Sequence, residues 1–185
     1  MRVFAAVVPP QEAIDHLDAF LEPRRAAADF RWTRTEHLHL TLAFMASVDQ
    51  HRADEYVDRL AESLDGLGPA DLALAGAVVF PNVGQARVLA TGVSGDGAAL
   101  LDTLAVRCRN AAVTCGVEVD GQRFRPHVTV ARTGGPQVEM TSWVRLLDDY
   151  VGPTWPVASV EVVSSHLGEG PRRTPRYETL AEILL

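Results

Sequence analysis

Two short segments carry the residue types best suited to acid–base chemistry: His39-Leu40-Thr41-Leu42 recurs 88 residues later as His127-Val128-Thr129-Val130. In an extended strand residues i and i+2 project to the same face, so each histidine stands beside its threonine while the other face is apolar. One histidine on a strand is ordinarily a half-buried, hydrogen-bonded side chain, but a repeated His-apolar-Thr-apolar pattern points to a pair built for use. A polar group buried without a partner costs about 1–3 kcal/mol. The repeat therefore predicts a wet, concave site between two related lobes. Imidazole titrates at about pH 6.5, so one histidine of a pair can accept a proton while the other, charged, donates one. The threonine hydroxyls can donate to oxygens that gain negative charge. The residues themselves leave open which histidine is acid and which is base.

A metal site is the competing reading. His37 and His39 offer two ligands, but no carboxylate cluster matches them, and Arg125 stands where the second segment would need its counterpart to His37. Neither a metal nor a cofactor is expected.

The elements that must position the pair alternate between strand and helix. Val3–Val8 is an apolar strand closed by Pro9-Pro10, and Ile14, Leu17, Phe20 and Leu21 predict a helix over 11–27. Strict alternation predicts strands over 36–44 and 123–131, each with one polar face. Asp49 caps a helix with Tyr56, Val57, Leu60 and Leu64 as its buried stripe. Residues 72–80 and 86–93 form a hairpin through Pro81-Asn82-Val83-Gly84-Gln85, followed by a helix over 96–113. A short helix over 138–149, a strand over 158–166, a polar loop over 168–175 and a last strand over 176–184 complete the chain.

With 185 residues, 47% of them hydrophobic, the chain can bury a core without staples, and no apolar run is long enough for a membrane helix. A cytoplasmic, monomeric protein without an obligate protein partner is expected. Cys108 and Cys115 form neither a CxxC motif nor a disulfide framework and read as core thiols. All 17 basic residues are Arg, which removes lysine Schiff-base chemistry, and the net charge of −7 disfavours a wide grip on long nucleic acid. A polyanion must be met locally.

The sequence resembles the two-histidine phosphoesterases, and within them the RNA 2′,3′-cyclic phosphodiesterases, historically called 2′-5′ RNA ligases. The likeness rests on Arg2-Val3-Phe4-Ala5-Ala6, on Arg31-Trp32-Thr33-Arg34-Thr35-Glu36 running into His37-Leu38-His39-Leu40-Thr41-Leu42-Ala43-Phe44, on Phe124 through Arg132, and on Gly170-Pro171 with Arg176-Tyr177-Glu178. His37 replaces a frequent Asn, Met45-Ala46 a usual Leu-Gly, and an Arg-rich insertion separates Gly170-Pro171 from Tyr177. The resemblance implies an α+β fold over residues 1–185: one bilobal domain, two mostly antiparallel sheets about a pseudo-twofold axis flanking a central cleft, helices outside. It also implies metal-independent hydrolysis of RNA ends bearing a 2′,3′-cyclic phosphate to 2′-phosphomonoesters. In it His39 is the general acid, His127 the general base, Thr41 and Thr129 the oxygen donors, and Arg132 a phosphate clamp.

Trp32 and Tyr177 are candidates to stack a base or line the mouth of the cleft, and Arg125 lies on its face by strand parity. The basic run Arg172-Arg173-Thr174-Pro175-Arg176 is a candidate for RNA backbone contacts. Small cyclic nucleotides and 2′-5′ linkages, with reverse ligation, are alternative substrates of the same residues. A non-catalytic module for RNA ends is the alternative of another class.

Overall fold

The computed structural model describes residues 1–170 and 175–185. Strand β1 (Arg2–Val7) is buried from Val3 onward and has neighbours on both edges. Pro10 ends it and opens α1 (Gln11–Leu21), accepting from the amides of Ala13 and Ile14. Ala13, Ile14, Leu17 and Leu21 form the buried face of α1. The α-helix stops short of residue 27: Pro23 supplies no amide hydrogen, and Glu22–Ala27 tightens into a 3-10 turn.

After β2 (Phe30–Trp32) and β3 (Leu40–Met45), the Asp49 side chain accepts the Arg52 amide at 2.9 Å and caps α2 (Gln50–Leu64). Asp49→Ala is expected to cost about 0.5–2 kcal/mol of unfolding free energy, read by urea denaturation with an unchanged m-value. Strands β4 (Ala70–Phe80) and β5 (Val88–Ser94) form the hairpin that the turn residues predict. Then come α3 (Gly97–Thr114), β6 (Val128–Thr133), α4 (Thr141–Asp148), β7 (Val151–Val157), β8 (Ser159–His166) and β9 (Arg176–Leu184). Strand β7 lies between the expected helix over 138–149 and the expected strand over 158–166, where Gly152, Pro153 and Pro156 hide it; among the described residues it pairs only with β4, and an edge strand tolerates missing amide hydrogens.

All pairings are antiparallel, in the order β7-β4-β5-β6-β3-β1-β8-β9. The two expected sheets are four-stranded halves joined into one path by a single register pair, Leu40 with Val128. Beyond that pair β2 occupies the edge of β6, setting Trp32 opposite Ala131, so β3 and β6 splay apart. The helices sit outside: α3 packs on β3 and on α2, α1 on β7 and α4 on β4. Leu40, Leu42, Val128 and Val130 are buried in the main core, as are the free thiols of Cys108 and Cys115. Burial pushes the Cys108 thiol up to about 12. No helix among the described residues is long and apolar enough to cross a membrane.

Candidate active site

The pair that joins the halves also assembles the repeat. Leu40 and Val128 each follow their histidine, and extending their antiparallel register sets Thr129 opposite His39 and His127 opposite Thr41. Leu40 and Val128 point into the core, so these four neighbours share the other face. All four line a cavity of about 550 Å³ between the halves.

Both histidines sit one residue upstream of their strands, where strict alternation would place them inside. A 3-10 turn over Thr35–His37 precedes His39, and Pro126 precedes His127. In this irregular backbone each ring reaches the carbonyl two residues back. His39 Nδ1 lies 2.7 Å from the His37 carbonyl and His127 Nδ1 2.7 Å from the Arg125 carbonyl. A carbonyl only accepts, so both Nδ1 atoms carry hydrogen and each Nε2 is the nitrogen that exchanges a proton.

Aromatic rings surround the pair. Phe4 stacks on His39 with centroids 4.7 Å apart, Tyr177 meets the same ring edge-on at 5.6 Å, and Phe80 lies 4.8 Å from His127. Burial is the main reason that the pKa of His39 lies below its ordinary value; the charges of His37, His127 and Arg132 act the same way, and the bond to the His37 carbonyl opposes them. His127 is lowered by burial, then by Arg125 and Arg132, against the bond to the Arg125 carbonyl. His37, half-buried at the cavity and 4.6 Å from Tyr177, is also lowered by burial, with Glu36 opposing.

One residue beyond each threonine the strands break register. Ala5 pairs with Ala43 but Ala6 with Thr41, leaving Leu42 unmatched; Leu89 pairs with Ala131 but Ala90 with Thr129, leaving Val130 unmatched. Each bulge reverses the alternation that follows it. Ala43 and Ala131 turn into the core, and Phe44 and Arg132 turn to the cavity. Alternation alone puts Phe44 on the apolar face, and the bulge corrects that placement.

Trp32 lines the cavity and also packs edge-on against Trp143 at 5.4 Å, so it belongs to both cavity wall and core. Tyr177 lines the cavity beside Phe4. Arg125 is placed elsewhere: its guanidinium lies 5.4 Å from the Phe80 ring centre, in an adjoining groove. It precedes β6, where strand parity does not hold, and its carbonyl rather than its side chain serves His127. Arg172 and Arg173 lie outside the described residues, and Arg176 is held by Glu169 at 3.0 Å and Glu178 at 3.2 Å.

Sequence reasoning missed Phe4, Phe44, Arg2, Arg31 and Arg34, all at the cavity wall. All five lie within the stretches that carry the family likeness, but Phe4 reads there as one more apolar residue of a buried strand. Arg34 pairs with Glu36; Arg2, Arg31 and Arg132 make no ion pair among the described residues. A net-negative chain thus concentrates positive charge at its cavity, as an anion site requires. No group of three His, Cys, Asp or Glu side chains among the described residues is placed to hold a metal ion.

Known proteins resemble the chain in sequence and in fold. A family model described as LigT like Phosphoesterase matches residues 7–90. An RNA 2′,3′-cyclic phosphodiesterase of Aeropyrum pernix is 33% identical over 158 residues, which cover 80% of this chain and 82% of the relative. Another, of Geobacillus stearothermophilus, is 26% identical over 179 residues; these are 96% of this chain, which spans only 55% of that relative's length. Among solved structures, the protein TT0787 of Thermus thermophilus superposes with a TM-score of 0.77 at 26% identity, covering 100% of this chain and 98% of the other. E. coli LigT complexed with 3′-AMP gives 0.78 at 22% identity, covering 100% and 97%.

Proposed function

The chain belongs to the LigT-like phosphoesterases, and from that premise we propose that it hydrolyses the 2′,3′-cyclic phosphate at RNA ends by paired imidazole catalysis without a metal. The observation that carries the reading is the matched anchoring of His39 and His127. Each holds its Nδ1 hydrogen on a carbonyl two residues back and keeps Nε2 for the substrate. The reading treats residues 1–185 as one domain whose two lobes supply one His-Thr pair each.

Neutral His127 takes a proton from water through Nε2 as the water oxygen attacks phosphorus in line. The bond from phosphorus to the ribose 3′-oxygen breaks, and imidazolium His39 gives that oxygen its Nε2 proton. The product carries a 2′-phosphate and a free 3′-hydroxyl. Thr41 and Thr129 donate to the non-bridging oxygens, and Arg132 balances the charge that gathers on them. Trp32 and Tyr177 line the space for the terminal nucleoside.

Hydrolysis of a short RNA ending in a 2′,3′-cyclic phosphate, in EDTA, tests the proposal. Turnover that survives chelation and leaves a 2′-phosphate is expected. Binding without cleavage would replace it with a non-catalytic module, and cleavage of 2′-5′ linkages or small cyclic nucleotides alone would move the substrate. Arg132→Ala is expected to lower kcat/KM about 10- to 100-fold, the range for a lost hydrogen bond to a charged group. Arg132→Lys should recover only part of that, since a point charge lacks the two-pronged geometry.

A further inference from the structure

A second groove, of about 140 Å³, meets the cavity across Thr41, Phe44 and His127. Its outer wall comes from Phe80 at the end of β4, Arg109 on α3, and the segment from Asp120 to Arg125 that leads into β6. That segment is tied down: the Asp120 amide donates to the Phe44 carbonyl at 3.1 Å, and the Gln122 amide to the Asp120 carboxylate at 3.1 Å. Phe80 and Phe124 are half-buried and line the groove, with the Arg125 guanidinium 5.4 Å from the Phe80 ring centre.

Three guanidinium groups, of Arg109, Arg123 and Arg125, share this groove with the carboxylate of Asp120. None of the three makes an ion pair among the described residues. The Nε of Arg109 is buried without a hydrogen-bond partner there. In a chain of net charge −7 this local excess of cations asks for an anion. An inorganic anion alone would leave the phenylalanine rings unused, and an apolar ligand would leave three cations unpaired. Aromatic faces interleaved with arginines are what a single-stranded nucleotide needs, its base on a ring and its phosphate on a guanidinium.

Resting on the proposed hydrolysis of cyclic phosphate ends, we infer that this groove binds the nucleotide adjacent to the reacting one, with its base against Phe80 and Phe124 and its phosphate held by Arg123 and Arg125. The protein's substrate is then an RNA end of at least two nucleotides rather than a nucleoside 2′,3′-cyclic monophosphate.

The test compares kcat/KM for a dinucleotide ending in a 2′,3′-cyclic phosphate with that for the nucleoside 2′,3′-cyclic monophosphate. A preference for the dinucleotide of about tenfold or more is expected, the scale of one stacked base. Phe124→Leu keeps apolar volume but removes the ring face, and Arg123→Gln removes an exposed charge. Each should erase most of that preference while changing mononucleotide turnover less than about twofold. Equal turnover of both substrates by the parent, or variants that weaken both alike, would overturn the inference. If neither substrate is cleaved, the hydrolytic reading falls, and fluorescence anisotropy of a labelled 3′-phosphorylated dinucleotide decides the groove. Weaker binding by both variants supports it, and parental affinity in both overturns it.

Discussion

His39→Ala and His127→Ala are each expected to lower kcat on an RNA 2′,3′-cyclic phosphate by about 10²–10⁴-fold, the usual range for a positioned acid or base. The double variant should lose little more than the worse single one, because proton removal from water and proton delivery to the 3′-oxygen belong to one displacement. The roles separate by leaving group. A phosphodiester that expels p-nitrophenolate needs no proton on the departing oxygen, so it should restore most of the loss in His39→Ala and none in His127→Ala. Restoration in the opposite variant would exchange acid and base; a His127→Ala protein with parental kcat on the cyclic phosphate would end the paired mechanism. Both rings lie outside the strand interiors, so neither substitution opens the main core. Unchanged thermal midpoints would confirm that only chemistry was removed.

The site is largely legible in the sequence because its pattern repeats. His39, Thr41, His127 and Thr129 share a face in any antiparallel arrangement that pairs Leu40 with Val128, and the cavity brings all four together. Periodicity cannot reveal the interruptions of period. Leu42 and Val130 are ordinary strand residues, yet each is the unmatched residue of a bulge that sends Phe44 or Arg132 to the cavity. A count by twos therefore misplaces Phe44, while Arg132 comes only through resemblance. Arg125 fails for a related reason: parity does not extend past the start of β6 into irregular backbone. Strand β7 is hidden by prolines that only its edge position permits, and the stacking of Phe4 on His39 follows from the pairing of β1 with β3, which no local pattern encodes.

The pH dependence of kcat/KM should place its optimum on the acid side of ordinary imidazole titration, with a loss of about tenfold per pH unit above neutrality. The sign follows from the residues around the pair. Phe4, Tyr177 and Phe80 exclude water from the two rings, and Arg132 adds positive charge near both, joined by His37 at His39 and Arg125 at His127; each disfavours imidazolium. The free enzyme needs His39 protonated and His127 neutral, so raising the pH through the lowered titration of His39 removes the acid, and lowering it through that of His127 removes the base. A bound phosphodiester reverses the local field, because its negative charge favours imidazolium at both rings. The alkaline limb of kcat should therefore lie at higher pH than that of kcat/KM. Arg132→Ala removes one of the positive charges and should move the kcat/KM limb the same way, toward higher pH. Coincident limbs for kcat and kcat/KM, or a kcat/KM limb well above neutrality in the parent, would mean that the proton donor is a group other than the imidazole held between Phe4 and Tyr177.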